Sequence, residues 1–127
     1  MSLKILIVDD EHDVEMLFRQ KFRREVRQGA LELIFAFSGK EALDVLDQEG
    51  RADVVLVLSD INMPGMTGLE LLRQIKSEPP PVPVCMMTAY GNDDYQKRAE
   101  AYKCDGYLTK PIDFNALKER IGMLAPA

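Results

Sequence analysis

The sequence lacks tryptophan, and its 127 residues include one histidine and two cysteines. We interpret His12 as a loop residue beside acidic neighbours, and we find no Ser-His-acid set around it. Cys85 and Cys104 lack the close spacing of a metal or redox motif, so we interpret them as free thiols with no catalytic role. Multi-histidine or multi-cysteine metal chemistry is therefore excluded.

Long hydrophobic runs are also absent. No apolar stretch approaches the roughly 20 residues that span a bilayer. The first apolar run, 5–8, is too short for a signal peptide and ends in acidic residues. We therefore expect no membrane contact and a cytoplasmic location. The length of 127 residues fits a single domain over residues 1–127.

The net charge of −5 argues against direct nucleic-acid binding by this domain. One basic cluster runs from Arg19 to Arg27 in the stretch RQKFRREVR. Because Phe22 and Val26 recur in it at helical spacing, we interpret this cluster as a solvated helix face.

Short apolar runs alternate with segments of helical periodicity. The runs predict five strands at 5–8, 31–37, 54–58, 82–87 and 106–109. Apolar residues at helical spacing predict five helices, within 14–26, 42–46, 69–75, 95–102 and 114–124. The alternation predicts an α/β fold with a mostly parallel sheet and helices on both faces.

Helix boundaries are marked in the sequence as well. Ser38 and Thr67 begin capping-box patterns, SGKE and TGLE, at the starts of the second and third predicted helices. Gly50 and the proline-rich stretch EPPPVP follow the ends of these two helices.

Polar residues stand at the carboxyl ends of four predicted strands. Asp9 and Asp10 follow the first strand, Asp60 the third, Thr88 the fourth and Lys110 the fifth. In doubly wound sheets these ends share one edge, where ligands bind. Three carboxylates there favour a cation, and oxygen ligands in small number favour magnesium.

Two other ion or phosphate motifs do not fit. The stretch DINMPG starts like a calcium-binding EF-hand loop, but Pro64 stands at its fifth position and Leu71 at its twelfth. No Walker loop and no GxGxxG pattern follows a strand.

The stretches ILIVDDE, VLSDINMPGMTG, MMTAYG and GYLTKPID, taken in this order, resemble the receiver domain of two-component response regulators. The resemblance covers nearly the whole chain. It implies a flavodoxin-like (βα)5 fold with strand order 2-1-3-4-5. It also implies a phosphorylation-activated switch rather than an enzyme that turns over a free substrate.

The resemblance assigns roles at the strand ends. Asp60 is the implied phosphoacceptor, which takes a phosphoryl group from the phosphohistidine of a sensor histidine kinase or phosphotransfer protein. Asp9, Asp10, Asp60 and the backbone carbonyl of Asn62 are the implied magnesium ligands, with Asp9 acting mostly through water.

Further roles concern the switch. Thr88 is the implied hydroxyl that moves toward the phosphoryl group. Lys110 is the implied positive charge that balances the phosphoryl group. Tyr107 is the implied aromatic residue that changes rotamer. The surface of the fourth predicted helix, the fifth strand and the fifth helix would then change, to regulate a partner, an output domain C-terminal to residue 127, or homodimer formation. Tyr90 and Tyr95 lie near this surface, where ordinary packing also explains them.

Three other functions use the same elements. An interaction module on the same fold that is not phosphorylated is one of them, and the intact acidic cluster argues against it. An aspartate-nucleophile phosphohydrolase would place a second acid two residues after Asp60, where Asn62 stands. A flavin-binding relative would need a hydroxyl-rich loop after the first strand, where DDEHD would repel phosphate.

The Lys110–Pro111 peptide bond is a candidate for the cis form, although trans is the commoner state.

Overall fold

Five parallel strands form one sheet, in the order β2-β1-β3-β4-β5, in the computed structural model, which describes residues 2–89 and 93–123. The strands are β1 Leu3–Val8, β2 Leu31–Ala36, β3 Val54–Asp60, β4 Val84–Thr88 and β5 Gly106–Thr109. The predicted fold class and strand order are confirmed. β3 extends two residues beyond the predicted apolar run and includes Asp60 itself.

Six helices connect and follow the strands. They are α1 His12–Lys21, α2 Arg23–Arg27, α3 Gly39–Glu49, α4 Gly68–Ser77, α5 Asp93–Ala101 and α6 Phe114–Gly122. The second to fifth predicted helices correspond to α3 to α6. Within the described residues, none of the six has the length and apolar character that a bilayer crossing requires.

The prediction of one continuous first helix is wrong, because the chain leaves helical geometry at Phe22, between α1 and α2. Phe22 has φ −106° and ψ 15° and is only 1% exposed. Its ring stacks on Phe18 and meets Phe114 edge-on. Beyond the break the apolar stripe fails, since the Val26 side chain is 41% exposed. Neither glycine nor proline marks this break in the sequence.

Alternating residues of the strands fill two cores, one on each face of the sheet. In β1, Ile5 and Ile7 face one core while Leu6 and Val8 face the other. The first core includes residues of the α1–α2 region and of α6: Phe18, Phe22, Leu117 and Ile121. The second includes residues of α3, α4 and α5: Ala42, Leu46, Leu69, Leu72, Ile75 and Ala99.

The predicted helix caps are present. The Ser38 hydroxyl accepts a hydrogen bond from the Glu41 N–H at 3.1 Å, and the Thr67 hydroxyl accepts one from the Glu70 N–H at 3.2 Å. Gly50 ends α3 with φ 91°, a backbone conformation that favours glycine. Because Thr67 caps α4, Asp60 is not needed for that purpose.

The two cysteines are free thiols, as predicted. Cys85 is buried in β4 and Cys104 is partly buried before β5. Burial raises the pKa of both thiols, which keeps them protonated and unreactive at neutral pH.

Gly68, the first residue of α4, lies directly against the end of β3. Its N–H donates to the Ile61 carbonyl at 2.8 Å. A β-carbon at this position would collide with the Asp60 carbonyl oxygen and would lie 2.8 Å from the Ile61 Cα. The backbone that follows Asp60 is therefore held by a contact that only glycine permits.

We predict that Gly68→Ala destabilises the protein by roughly 2 to 4 kcal/mol, because two backbone segments must separate to admit the methyl group. Urea denaturation of both proteins measures the difference. The matched control is Gly122→Ala in α6, where no described atom outside the helix's own backbone and the two neighbouring residues lies within 4 Å of the added β-carbon. Equal stability of Gly68→Ala and the unmodified chain would contradict the close approach.

Candidate functional site

The register of the parallel sheet brings the strand ends together. Val8 pairs with Ser59, so Asp9 and Asp60 emerge side by side from β1 and β3. The Lys110 N–H donates to the Thr88 carbonyl at 2.8 Å, which fixes the start of the loop after β5 beside the end of β4. The predicted convergence of these four residues at one edge follows from strand pairing alone.

Three carboxylates form an acidic cluster at this edge. Oxygen atoms of Asp9, Asp10 and Asp60 all lie within 4.8 Å of one another. Asp9 is 3% exposed and Asp60 is 7% exposed, while Asp10 is partly buried. Buried like charges at this separation repel one another strongly, because little water screens them.

Lys110 supplies the positive charge at the cluster. Its Nζ lies 2.8 Å from Asp9 Oδ2 and 3.7 Å from Asp60 Oδ1. Burial opposes the charged ammonium, but the hydrogen bond to Asp9 and the charges of Asp60 and Asp9 outweigh it and raise the pKa of Lys110. Lys110 is therefore cationic at neutral pH, and it bonds Asp9 more closely than Asp60.

Asp60 is held by its own backbone. The Ile61 N–H donates to Asp60 Oδ1 at 3.0 Å. Burial, followed by the charge of Asp9, raises the pKa of Asp60 to about 6, although Lys110 and the Ile61 N–H act in the opposite direction. Without a further cation, the Asp60 carboxylate is more basic than that of an ordinary aspartate. A more basic carboxylate is a better nucleophile.

The donor set fits a hard divalent cation. All three side chains offer carboxylate oxygens, the ligands that magnesium prefers, and their repulsion is what a cation would relieve. Asp9 accepts the Glu11 N–H at Oδ1 and Lys110 at Oδ2, so each of its oxygens already has one hydrogen-bond donor. The prediction that Asp9 acts mostly through water stays a prediction. The Asn62 carbonyl stays a prediction.

The two predicted switch residues lie on neighbouring strands. Thr88 is fully buried at the end of β4. Tyr107 is partly buried in β5, and its hydroxyl is a buried atom that has no hydrogen-bond partner among the described residues. Burial raises the pKa of this phenol, so it is neutral and able to donate a hydrogen bond. A change of rotamer therefore breaks no hydrogen bond between this hydroxyl and a described residue.

His12 is the first residue of α1 and not a loop residue as predicted. Its ring stacks on Phe37 with ring centroids 4.0 Å apart and an interplanar angle of 16°. This contact gives His12 a packing role at the rim of the site.

Two other predicted positions fall outside the described residues, namely Tyr90 near the switch surface and Leu124 in the last predicted helix. Tyr95 is described, and it packs partly buried against the core under α5. The Lys110–Pro111 bond, which the sequence marked as a candidate, is cis.

Gly68 and Ser59 take part in the site without having been identified from the sequence. The Ser59 hydroxyl donates to the Asp60 carbonyl at 3.0 Å, and Gly68 packs on the same carbonyl. Ser59 lies just beyond the predicted third strand and Gly68 lies within a capping box, so only the folded geometry reveals these contacts.

Comparison with known proteins identifies relatives of the whole chain. The family model described as "Response regulator receiver domain" matches residues 5–122. The chain is 32% identical to sporulation initiation phosphotransferase F of Bacillus subtilis, over 99% of this chain and 96% of that protein. It is 36% identical to the response regulator protein FleR of Pseudomonas aeruginosa, over 95% of this chain but 24% of that protein.

Solved structures agree with this relationship. A response regulator receiver domain protein from Clostridium thermocellum superposes with a TM-score of 0.83 at 27% identity, over 96% of this chain and 93% of that one.

We predict that stability falls as pH rises through the pKa of Asp60 when metal is removed with EDTA. The folded state binds this proton more tightly than the unfolded state, so deprotonation favours unfolding. A pKa of about 6 against the ordinary 3.8 corresponds to at most roughly 3 kcal/mol at neutral pH. Asp60→Asn should recover much of this free energy at pH 7.5 in urea denaturation, and little at pH 4.

The matched control is Asp47→Asn on the exposed side of α3, which should leave the pH dependence unchanged. A destabilised Asp60→Asn protein at pH 7.5 would contradict the electrostatic crowding of Asp60.

Proposed function

The chain belongs to the response regulator receiver domain family, and we propose that Asp60 is the residue on which it accepts a phosphoryl group. Domains of this family are signalling switches of two-component systems. One observation carries the assignment to Asp60. The Asp60 carboxylate lies at the end of β3, buried among Asp9, Asp10 and Lys110, and its pKa is raised to about 6.

In the proposed reaction, a carboxylate oxygen of Asp60 attacks the phosphorus atom of a phosphohistidine. The bond between phosphorus and the imidazole nitrogen breaks, and the imidazole leaves with a proton from solvent. Because Asp60 Oδ1 accepts the Ile61 N–H, we assign the attack to Oδ2. The Ile61 N–H then orients the carboxyl group and fixes the direction of attack.

Lys110 neutralises charge during the transfer. In the unphosphorylated protein its Nζ bonds Asp9 and lies 3.7 Å from Asp60 Oδ1. A small shift of the ammonium places it on a phosphoryl oxygen, where added negative charge draws it. The pKa of Lys110 is raised, so the group stays charged throughout.

We propose that Asp10, Asp60 and the Asn62 carbonyl would hold a magnesium ion directly, and that Asp9 would act mostly through water. When bound, magnesium supplies positive charge that lowers the repulsion between the attacking carboxylate and the phosphoryl oxygens. The support is the set of carboxylate oxygens within 4.8 Å of one another.

Phosphorylation then acts on the switch residues. The Thr88 hydroxyl moves toward the phosphoryl oxygen, and this movement opens space beside β5. Tyr107 turns into that space, since its buried hydroxyl gives up no hydrogen bond to a described residue by leaving. The surface formed by α5, β5 and α6 changes as a result, and a partner reads it.

The partners and context are proposed on the same basis. The donor is a sensor histidine kinase or a phosphotransfer protein. The target is a separate protein, a second copy of the chain or an output domain beyond residue 127. The chain spans nearly all of the Bacillus relative but about a quarter of FleR, so both arrangements occur among its relatives. Hydrolysis of the aspartyl phosphate returns the domain to its resting state, in the cytoplasm.

We predict that phosphoramidate and magnesium add one phosphoryl group to the intact protein, measured by mass spectrometry. Phosphoramidate carries the same phosphorus–nitrogen bond as phosphohistidine. Borohydride reduction followed by peptide mapping should place the modification at Asp60, because an aspartyl phosphate is reduced to homoserine. EDTA should abolish the mass gain.

Asp60→Asn should remove the modification, whereas Asp47→Asn should retain it. Label on another aspartate of the unmodified chain would contradict the assignment to Asp60, and labelling unaffected by EDTA would contradict the magnesium site.

A further inference from the structure

We propose that the basic groove, lined by residues of α1, α2 and α6, binds a short acidic and partly apolar segment of a partner protein. The groove has a volume of about 770 Å³ and contains none of the proposed phosphorylation-site residues in its lining. The proposal concerns a second surface and does not rest on the function assigned to Asp60.

The charge of the basic groove is opposite to that of the chain. Five of its lining side chains are cationic, namely Lys21, Arg23, Arg24, Arg27 and Lys118. Glu25 is the one acid among the described lining residues, and its Oε1 pairs with Lys118 Nζ at 3.1 Å. The whole chain carries a net charge of −5, so this positive region is a local feature that would attract an acidic ligand.

Three of these cations have no hydrogen-bond or ion-pair partner for their side chains within the described part of the chain. Arg23, Arg24 and Arg27 are exposed, and none of their side chains makes a hydrogen bond or ion pair with a described residue. By contrast, Arg51 donates to the Ile75 carbonyl at 2.7 Å. The dipole of α2, a helix of five residues, does not account for three adjacent charges. These guanidinium groups are therefore available for carboxylates of another molecule.

An apolar strip runs beside the basic groove. A second depression of about 360 Å³ is lined by Val26, Leu31 and Leu33 together with Arg19 and Glu32, and it shares Arg23 and Arg27 with the basic groove. Val26 is 41% exposed, on the side of α2 that the sequence pattern assigned to the core. A ligand that carries both carboxylates and apolar side chains would contact both depressions at once.

The dimensions favour a peptide over a nucleic acid. Five residues of helix are about 7.5 Å long, which is short for tracking a phosphate backbone, and the acidic remainder of the domain would repel a long polyanion. The arginines stand on an open surface and do not converge on one buried point, as recognition of a single phosphate would require. An extended segment with several spaced carboxylates matches this layout.

The basic groove is physically joined to α6. Lys118 extends from α6 to Glu25 of α2, and its Nζ lies 5.4 Å from the Phe22 ring centroid. Lys21 of α1 lies 5.9 Å from the ring centroid of Phe114, the first residue of α6. A bound carboxylate that competes with Glu25 for Lys118 would therefore act directly on α6.

The test is fluorescence anisotropy with a labelled peptide of alternating glutamate and leucine. We expect saturable binding to the full chain with a Kd on the order of 100 μM or tighter at low salt, weakening as salt rises. The double variant Arg23→Gln/Arg27→Gln should bind roughly fivefold to tenfold more weakly. The control Arg73→Gln/Arg98→Gln has the same net charge, carries its changes on exposed positions of α4 and α5, and should bind within about twofold of the unmodified chain.

Three outcomes would overturn the proposal. One is the absence of saturable binding up to about 1 mM peptide. Another is equal loss of binding in both double variants, which would indicate attraction by net charge alone. The third is tighter binding of a single-stranded oligonucleotide than of the peptide, which would assign the basic groove to nucleic acid. Circular dichroism spectra of the variants check that all of them are folded.

Discussion

The repulsion among three carboxylates at one edge of the sheet is the constraint on which the site depends. Asp9, Asp10 and Asp60 share a small buried volume with one ammonium, that of Lys110. The folded chain holds this charge in place because the β1 and β3 strands end side by side. The energy stored there makes the site responsive, since either a cation or a phosphoryl group bound with a cation changes the local charge balance.

The surrounding structure serves to maintain this arrangement. Two apolar cores hold the sheet from both faces, so the strand ends cannot move apart to relieve the repulsion. Gly68 lets α4 begin directly against the Asp60 carbonyl, and the Ile61 N–H holds the carboxyl group in one orientation. The proposed phosphoacceptor is thus on a strand held from both faces, and the proposed switch residues, Thr88 and Tyr107, lie on the two strands beyond it.

The sequence predicts most of the fold and the site because both depend on local patterns. Strand ends follow from apolar runs, and the convergence of Asp9, Asp60 and Lys110 follows from the rule that parallel strands end at one edge. The break at Phe22 could not be predicted, since no glycine or proline marks it and tertiary packing on Phe114 accompanies it. Pairing between distant residues could not be predicted either. Lys118 reaches Glu25 in the basic groove, although the two residues are 93 positions apart in the sequence.

The pKa of the Asp60 side chain, followed by carbon NMR with and without magnesium, tests the central claim most directly. Electrostatic crowding predicts a pKa of about 6 in EDTA, and a value below the ordinary 3.8 when magnesium occupies the cluster. A pKa near 3.8 under both conditions would contradict the account, because Asp60 would then be an ordinary carboxylate with no repulsion to relieve.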